Sequence, residues 1–224
     1  MSRGRNIGRI KNIPPDAPTA LKYLSVWRSG DLYRRPDSFP RLISASFFGD
    51  PQPLQIEAGC GTGEFICHLA TEKPDNHFIG VDFSRRAIYH AVDQARKKEL
   101  ENIHFIHADF KLTYPLMEPE TIKALYLHFP DPNYGSRFRK HRIFNQDFLD
   151  AMNKALTPSG IISFVTDQEE FFFETLEIAE ADSRFRKAHP ERYLDTYDAP
   201  IKSRFQKAWE RKDRTVFRFE LTKS

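Results

Sequence analysis

Glu57, Asp82, Asp109, Asp131 and Asp167 stand at or just past the ends of five short apolar runs, residues 54–58, 78–81, 103–106, 124–129 and 161–165. Their separations are 25, 27, 22 and 36 residues, close to one strand–helix–strand step of about 30 residues. In an open parallel sheet the carboxyl ends of the strands share one edge, and ligands bind in the crevice there. A rim of five carboxylates repels a pyrophosphate and attracts a cation or a ring of hydroxyl and amino donors. One such acid is ordinarily a loop residue or a helix cap. Five at successive strand ends point to a site.

Glu57 also opens a glycine loop, Glu57-Ala58-Gly59-Cys60-Gly61-Thr62-Gly63-Glu64. Glycines so spaced let the backbone turn tightly and approach a ligand closely. The dinucleotide fingerprint needs G-x-G-x-x-G, with its third glycine where Glu64 stands. Here the spacing is G-x-G-x-G behind a carboxylate, and Asp82 lies 19 residues beyond Gly63. That combination fits S-adenosylmethionine better than NAD, while a packing turn without a ligand is the plainer alternative. With that cofactor, Asp82 accepts the ribose hydroxyls and Asp109 meets the adenine amino group, with Ala108 and Phe110 flanking the ring. Glu57 and Asp131 then lie near the methionine part, whose ammonium and sulfonium are both positive.

Strands alternating with helices must hold these acids. Ser84 is placed to cap a helix whose Ala87, Ile88, Ala91, Val92 and Ala95 form one apolar stripe. Phe144, Phe148, Leu149 and Met152 make a second stripe, and Phe172, Leu176, Ile178 and Ala179 a third; all three read as core. Residues 215–221 read as a final strand. The expected class is α/β, a parallel sheet with helices on its faces. Residues 1–20 are basic and broken by Pro14, Pro15 and Pro18, which predicts a mobile arm, and residues 21–224 read as one domain.

The 224 residues carry 34 Lys+Arg against 31 Asp+Glu, and the charge is unevenly spread. Residues 1–41 sum to +6, 42–136 to −5, 137–183 to −4 and 184–224 to +6. An acidic body between basic ends suits a cationic small ligand in the middle and an anionic macromolecule gripped from the flanks. No apolar run approaches the roughly 18 residues of a membrane span, and the first ten residues lack the apolar segment of a secretory signal. Cys60 and Cys67 form no CxxC pair, and no histidine stands at zinc-ligand spacing beside them. The expectation is a cytoplasmic protein with no membrane partner, no metal and no disulfide framework.

Taken together, these motifs resemble the class I S-adenosylmethionine-dependent methyltransferases and, more closely, the bacterial tRNA (guanine-N7)-methyltransferases. The likeness runs from about residue 50 to the C-terminus. It is carried by Glu57-Ala-Gly-Cys-Gly-Thr-Gly-Glu-Phe65, Phe129-Pro-Asp-Pro132, Arg137-Phe-Arg-Lys-His-Arg142-Ile143 and Thr166-Asp167. It implies a Rossmann-like, mostly parallel seven-stranded sheet with helices on both faces, a cofactor half at about 50–130 and a tRNA half at about 131–224. It also implies methyl transfer to N7 of guanine 46 in the tRNA variable loop, by a monomer or homodimer.

Carried over by position, the resemblance implies cofactor contacts from Glu57, Gly59, Gly61, Gly63, Asp82, Asp109 and Asp131, with Asp131 as the catalytic acid. It implies substrate contacts from Arg137, Arg139, Lys140, Arg142, Asp167, Ser203 and Gln206. Asn133 and Gly135 replace the family's Trp and Lys, leaving Lys140 to take over the positive charge. Ser203-Arg-Phe205-Gln206 is a weak form of the family's Thr-x-Tyr/Phe-Glu. Tyr134 and Phe138, set among the cations, suit stacking on an exposed base.

Three other readings compete. Asp131-Pro132-Asn133-Tyr134 resembles the Asp-Pro-Pro-Tyr motif of amino-group methyltransferases, whose product would be N6-methyladenine or N2-methylguanine. A non-catalytic RNA-binding module on the same scaffold is opposed by four intact cofactor acids and three loop glycines. An NAD-dependent dehydrogenase is disfavoured by Glu64 and the acidic rim.

Overall fold

The computed structural model describes residues 12–132, 142–196 and 215–224. Asp16 accepts the Thr19 N–H at 2.8 Å, and Pro18 falls in the first turn, where its missing N–H costs no hydrogen bond. A helix, α1 (Ala17–Tyr23), therefore starts inside the stretch expected to be an arm, and the prolines mark its beginning. It leads into β1 (Leu24–Val26), α2 (Ser29–Arg34) and α3 (Ala45–Phe48). The expected alternation follows: β2 (Leu54–Ala58), α4 (Glu64–Glu72), β3 (His77–Asp82), α5 (Arg85–Lys97) and β4 (Ile103–His107). Short 3-10 turns lead to β5 (Ile122–His128), then α6 (Gln146–Ala155), β6 (Leu156–Thr166), α7 (Glu169–Ala181), β7 (Phe185–Lys187) and β8 (Phe217–Lys223).

The strands form one sheet in the order β1-β4-β3-β2-β5-β6-β8-β7. Pairings from β1 through β6 are parallel, and β8 is antiparallel to both β6 and β7. The sheet has eight strands where seven were expected. The extra one, β1, adds an edge beside β4, and its three residues are too few to show an alternating pattern.

All five residues of β2 are buried, as a central parallel strand covered on both faces must be. Gln55 satisfies its amide there by accepting from the Tyr126 hydroxyl and donating to Asn76 Oδ1, each at 2.9 Å. The predicted stripes all face the sheet. On one side Phe144, Phe148, Phe171 and Phe172 pack on Phe164 and Phe219, whose rings stack with centroids 5.1 Å apart. On the other, Phe65, Ile66, Ile88 and Val92 of α4 and α5 meet Phe78 and Phe105. These layers hold the strands, and with them the strand ends, in place.

His104 ties the added edge to the sheet. Its Nδ1 donates to the Lys22 carbonyl at 3.2 Å, and its Nε2 lies 3.0 Å from the Ser25 hydroxyl. Burial lowers its pKa from 6.5 to about 4, so the ring is neutral. The unfolded chain then binds more protons in that window, and stability falls as pH drops from 6.5 towards 4. The loss from this residue is about 3 kcal/mol. Urea midpoints across that range should show it, and His104→Gln should flatten the dependence.

Candidate cofactor and substrate site

Because β2 to β6 run parallel, their carboxyl ends lie on one edge. Across neighbouring strands β6, β5, β2, β3 and β4, the acids at or beyond those ends come in the order Asp167, Asp131, Glu57, Asp82, Asp109. Adjacent strands are about 4.8 Å apart, so the strand ends that lead to the five acids stand side by side along that edge.

The glycine loop joins β2 to α4 at the centre of that row. Gly59, Gly61 and Gly63 have φ of 77°, 55° and 79°, the left-handed region that glycine enters without a side-chain clash. A Cβ on Gly63 would lie 2.7 Å from that of Ala91, so Gly63 also lets the loop press against α5. Nothing lies within 4 Å of the corresponding positions at Gly59 and Gly61, which leaves room for a ligand against the backbone. The Gly59 and Cys60 N–H groups donate to Val81 O at 2.7 and 3.1 Å, fastening the loop to β3.

Glu57 is 5% exposed and its Oε2 makes no hydrogen bond. Burial, and then the charges of Glu64 and Asp82, push its carboxyl well above the usual range. A buried carboxyl oxygen without a hydrogen-bond partner, near the charges of two further acids, favours a proton or a cationic ligand beside it. Asp82 is also raised by burial, and its two oxygens accept the Gly61 N–H at 2.9 Å and the Ser84 N–H at 2.7 Å. Each oxygen keeps a lone pair for a hydroxyl donor. The donor set fits a ligand with an ammonium or sulfonium at Glu57 and a diol at Asp82. Ser84 does occupy the N-cap of α5, but its hydroxyl makes no cap bond.

Asp109 is exposed, and its Oδ1 accepts the Lys111 N–H at 3.1 Å in a 3-10 turn. The expectation for its neighbour Phe110 needs correcting. That ring is buried in the core and meets Tyr114 edge-on at 5.7 Å, so it is not free to flank an adenine. Among the described residues, an exposed aromatic does adjoin a strand-end acid at Phe83, a residue to which the sequence motifs assign no role. It follows Asp82 directly and is 78% exposed, a flat apolar face next to that acid in the chain. A large aromatic immediately after a strand-end acid was the available signal.

Asp131 is exposed on the turn after β5, three residues beyond His128. The turn starts at Phe129, whose φ is 51° and whose N–H donates to Val165 O at 2.7 Å. Desolvation and Arg218 lower the pKa of His128 to about 3, so its ring is neutral 3.2 Å from the Ser163 hydroxyl. Asp167, 8% exposed, follows β6 and accepts from Gln168 Nε2 at 2.6 Å.

Arg142 is turned inward, against the expectation of a phosphate contact. Its guanidinium pairs with Glu174 of α7 and lies 4.7 Å over the Phe171 ring. Arg137, Arg139, Lys140, Ser203 and Gln206, like Tyr134 and Phe138, lie outside the described residues. Among the described residues, no helix is long and apolar enough to cross a membrane, and no group of three or more metal-ligating side chains is gathered.

The family described as a putative methyltransferase matches residues 51–219. The tRNA (guanine-N(7)-)-methyltransferase of Rubrobacter xylanophilus is 48% identical over 219 residues, covering 98% of each chain. The chain belongs to the tRNA (guanine-N7)-methyltransferase family. Its relative of the same name from Chloroherpeton thalassium is 37% identical over 221 residues, covering 99% of this chain and 98% of that one. Among solved structures, the 16S rRNA methyltransferase KamB shares the fold at a TM-score of 0.61 and 17% identity, over 83% of this chain and all of the other. An antibiotic-related methyltransferase superposes with a TM-score of 0.56 at 21% identity, over 77% of this chain and 89% of the other. The Rossmann-like architecture of this family is thus the one in which the acids are arrayed.

Proposed function

We propose that this protein transfers the methyl group of S-adenosylmethionine to N7 of a guanine in tRNA, at position 46 of the variable loop, in the cytoplasm. The observation that carries the reading is the unpartnered Glu57 oxygen in the middle of the acid row. Glu57 and Asp131 would hold the positive methionine end, Asp82 the ribose hydroxyls, and Asp109 with Phe83 the adenine. The cofactor supplies an electrophilic methyl on a sulfonium. Family membership supports the tRNA acceptor, and Arg137, Arg139 and Lys140 follow the Asp131 turn closely enough in sequence to hold phosphates beside the reacting base.

Guanine N7 carries an in-plane lone pair and no proton, so its attack needs no general base. The work left to the protein is alignment, worth up to about 7–11 kcal/mol in well-oriented systems. Asp131 serves by orienting the guanine or steadying positive charge. Asp167, at the β6 end of the row, would face the acceptor in this reading.

Nucleoside mass analysis of tRNA incubated with the protein and labelled S-adenosylmethionine tests the whole reading. N7-methylguanosine, with strand scission by borohydride and aniline at position 46, is the expected result. A methylated exocyclic amino group would move the enzyme to the amino-methylating class, and tRNA that binds but gains no methyl would sink catalysis altogether.

A further inference from the structure

Arg142 follows the Asp131 turn in sequence, and its side chain folds back onto it. Its Nε donates to the carbonyl oxygen of Pro132, the residue next to Asp131, at 2.7 Å. Its NH1 pairs with Glu174, in the middle of α7, and the arginine side chain is only 10% exposed. At the other end of the turn, Phe129 is held in a left-handed conformation by its bond to Val165. For a bulky residue that conformation costs about 1–3 kcal/mol and persists only where the surroundings enforce it. Asp131 therefore sits between two fixings, one to β6 through Phe129 and one to α7 through Arg142.

We propose that Arg142 is a positioning residue for methyl transfer. By bridging the Pro132 carbonyl to the Glu174 carboxylate, it sets the bearing of the turn that presents Asp131. A guanidinium suits the task because its planar fork offers donors in fixed directions, so one side chain serves a carbonyl and a carboxylate together. A lysine ammonium can approach either partner but does not hold both in one plane. In-line transfer is sensitive to such alignment, since a misplacement of about 1 Å can cost about 10²-fold. The proposal rests on the methyltransferase reading above.

The test compares wild type with Arg142→Met, Arg142→Lys, Glu174→Gln and the double variant Arg142→Met/Glu174→Gln, well below their melting midpoints. Arg142→Met should lower kcat by about 10–100-fold, with both KM values held within about threefold. Arg142→Lys should recover little of that loss. Glu174→Gln should lose less, in the same parameter, and the double variant should be no worse than Arg142→Met because both residues act through one linkage. A raised tRNA KM with unchanged kcat and a shallower salt dependence would make Arg142 a phosphate contact and overturn the proposal. A lowered melting midpoint with kcat and KM unchanged would overturn it equally, as a purely structural role. If Arg142→Met does not fold, Glu174→Gln carries the same kcat test. An inactive wild type overturns this inference and the proposed function together, whereas an active wild type beside a fully active Arg142→Met overturns the positioning role alone.

Discussion

Asp131→Ala should lower kcat by about 10²–10³-fold, the loss typical of removing one preorganised electrostatic contact. Affinity for tRNA should stay nearly unchanged. Asp131 is exposed on a turn held from β6 by the Phe129 N–H and from α7 by Arg142, and neither of those two fixings runs through its carboxylate. Affinity for tRNA comes mainly from phosphate contacts and their released counterions, which Asp131 cannot supply. Single-turnover methylation with labelled cofactor, set beside filter binding at several salt concentrations, separates the two quantities. Equal losses of rate and affinity would show that the turn is scaffold. Asp131→Asn keeps the shape and removes the charge; if it retains full rate, the carboxylate's charge plays no part.

The second large effect concerns Glu57. A charge-assisted hydrogen bond is worth about 1.5–3 kcal/mol, so Glu57→Gln should weaken S-adenosylmethionine binding by about 10–100-fold. The same substitution should stabilise the unliganded protein at pH values above the raised Glu57 pKa, because there it removes a negative charge from a buried site. The sign of the pH dependence follows from the raised pKa. In the free protein Glu57 keeps its proton above the pH at which an unfolded chain releases it. Its contribution to stability is full below the ordinary carboxylate pKa and is lost as pH rises through the elevated one. A cation arriving beside the carboxyl displaces that proton, so cofactor affinity should increase with pH across the same window. Calorimetric titrations in buffers of different ionisation enthalpy would count the proton released. No release in wild type, or the same release in Glu57→Gln, would contradict the assignment.

The acid row was legible because strand ends are marked twice over, by the end of an apolar run and by the turn chemistry that follows. Glu57 and Asp82 stand within their strands, and Asp109, Asp131 and Asp167 follow within a few residues. What escaped had no such double mark. β1 is three residues long and has an exposed valine, so neither length nor alternation announced it. Phe110 and Phe83 are the same residue type, each next to a rim acid, yet one is buried against Tyr114 and the other is exposed, a difference set by tertiary packing. Arg142 reads as the last of a basic run. Its partner Glu174 lies 32 residues away on α7, a distance at which sequence carries no sign of pairing.

The loop behind Gly59 is held by hydrogen bonds from within the chain. The N–H groups of Gly59, Cys60 and Gly61 are already taken up by Val81 and Asp82, and the Gly63 N–H by Cys60. A methyl donor therefore meets a receptacle whose backbone entropy was surrendered during folding, so little loop ordering is charged against its affinity. Capture should resemble a key entering a cut lock, with a small enthalpy of rearrangement and an encounter rate governed by diffusion and by the field of the acids.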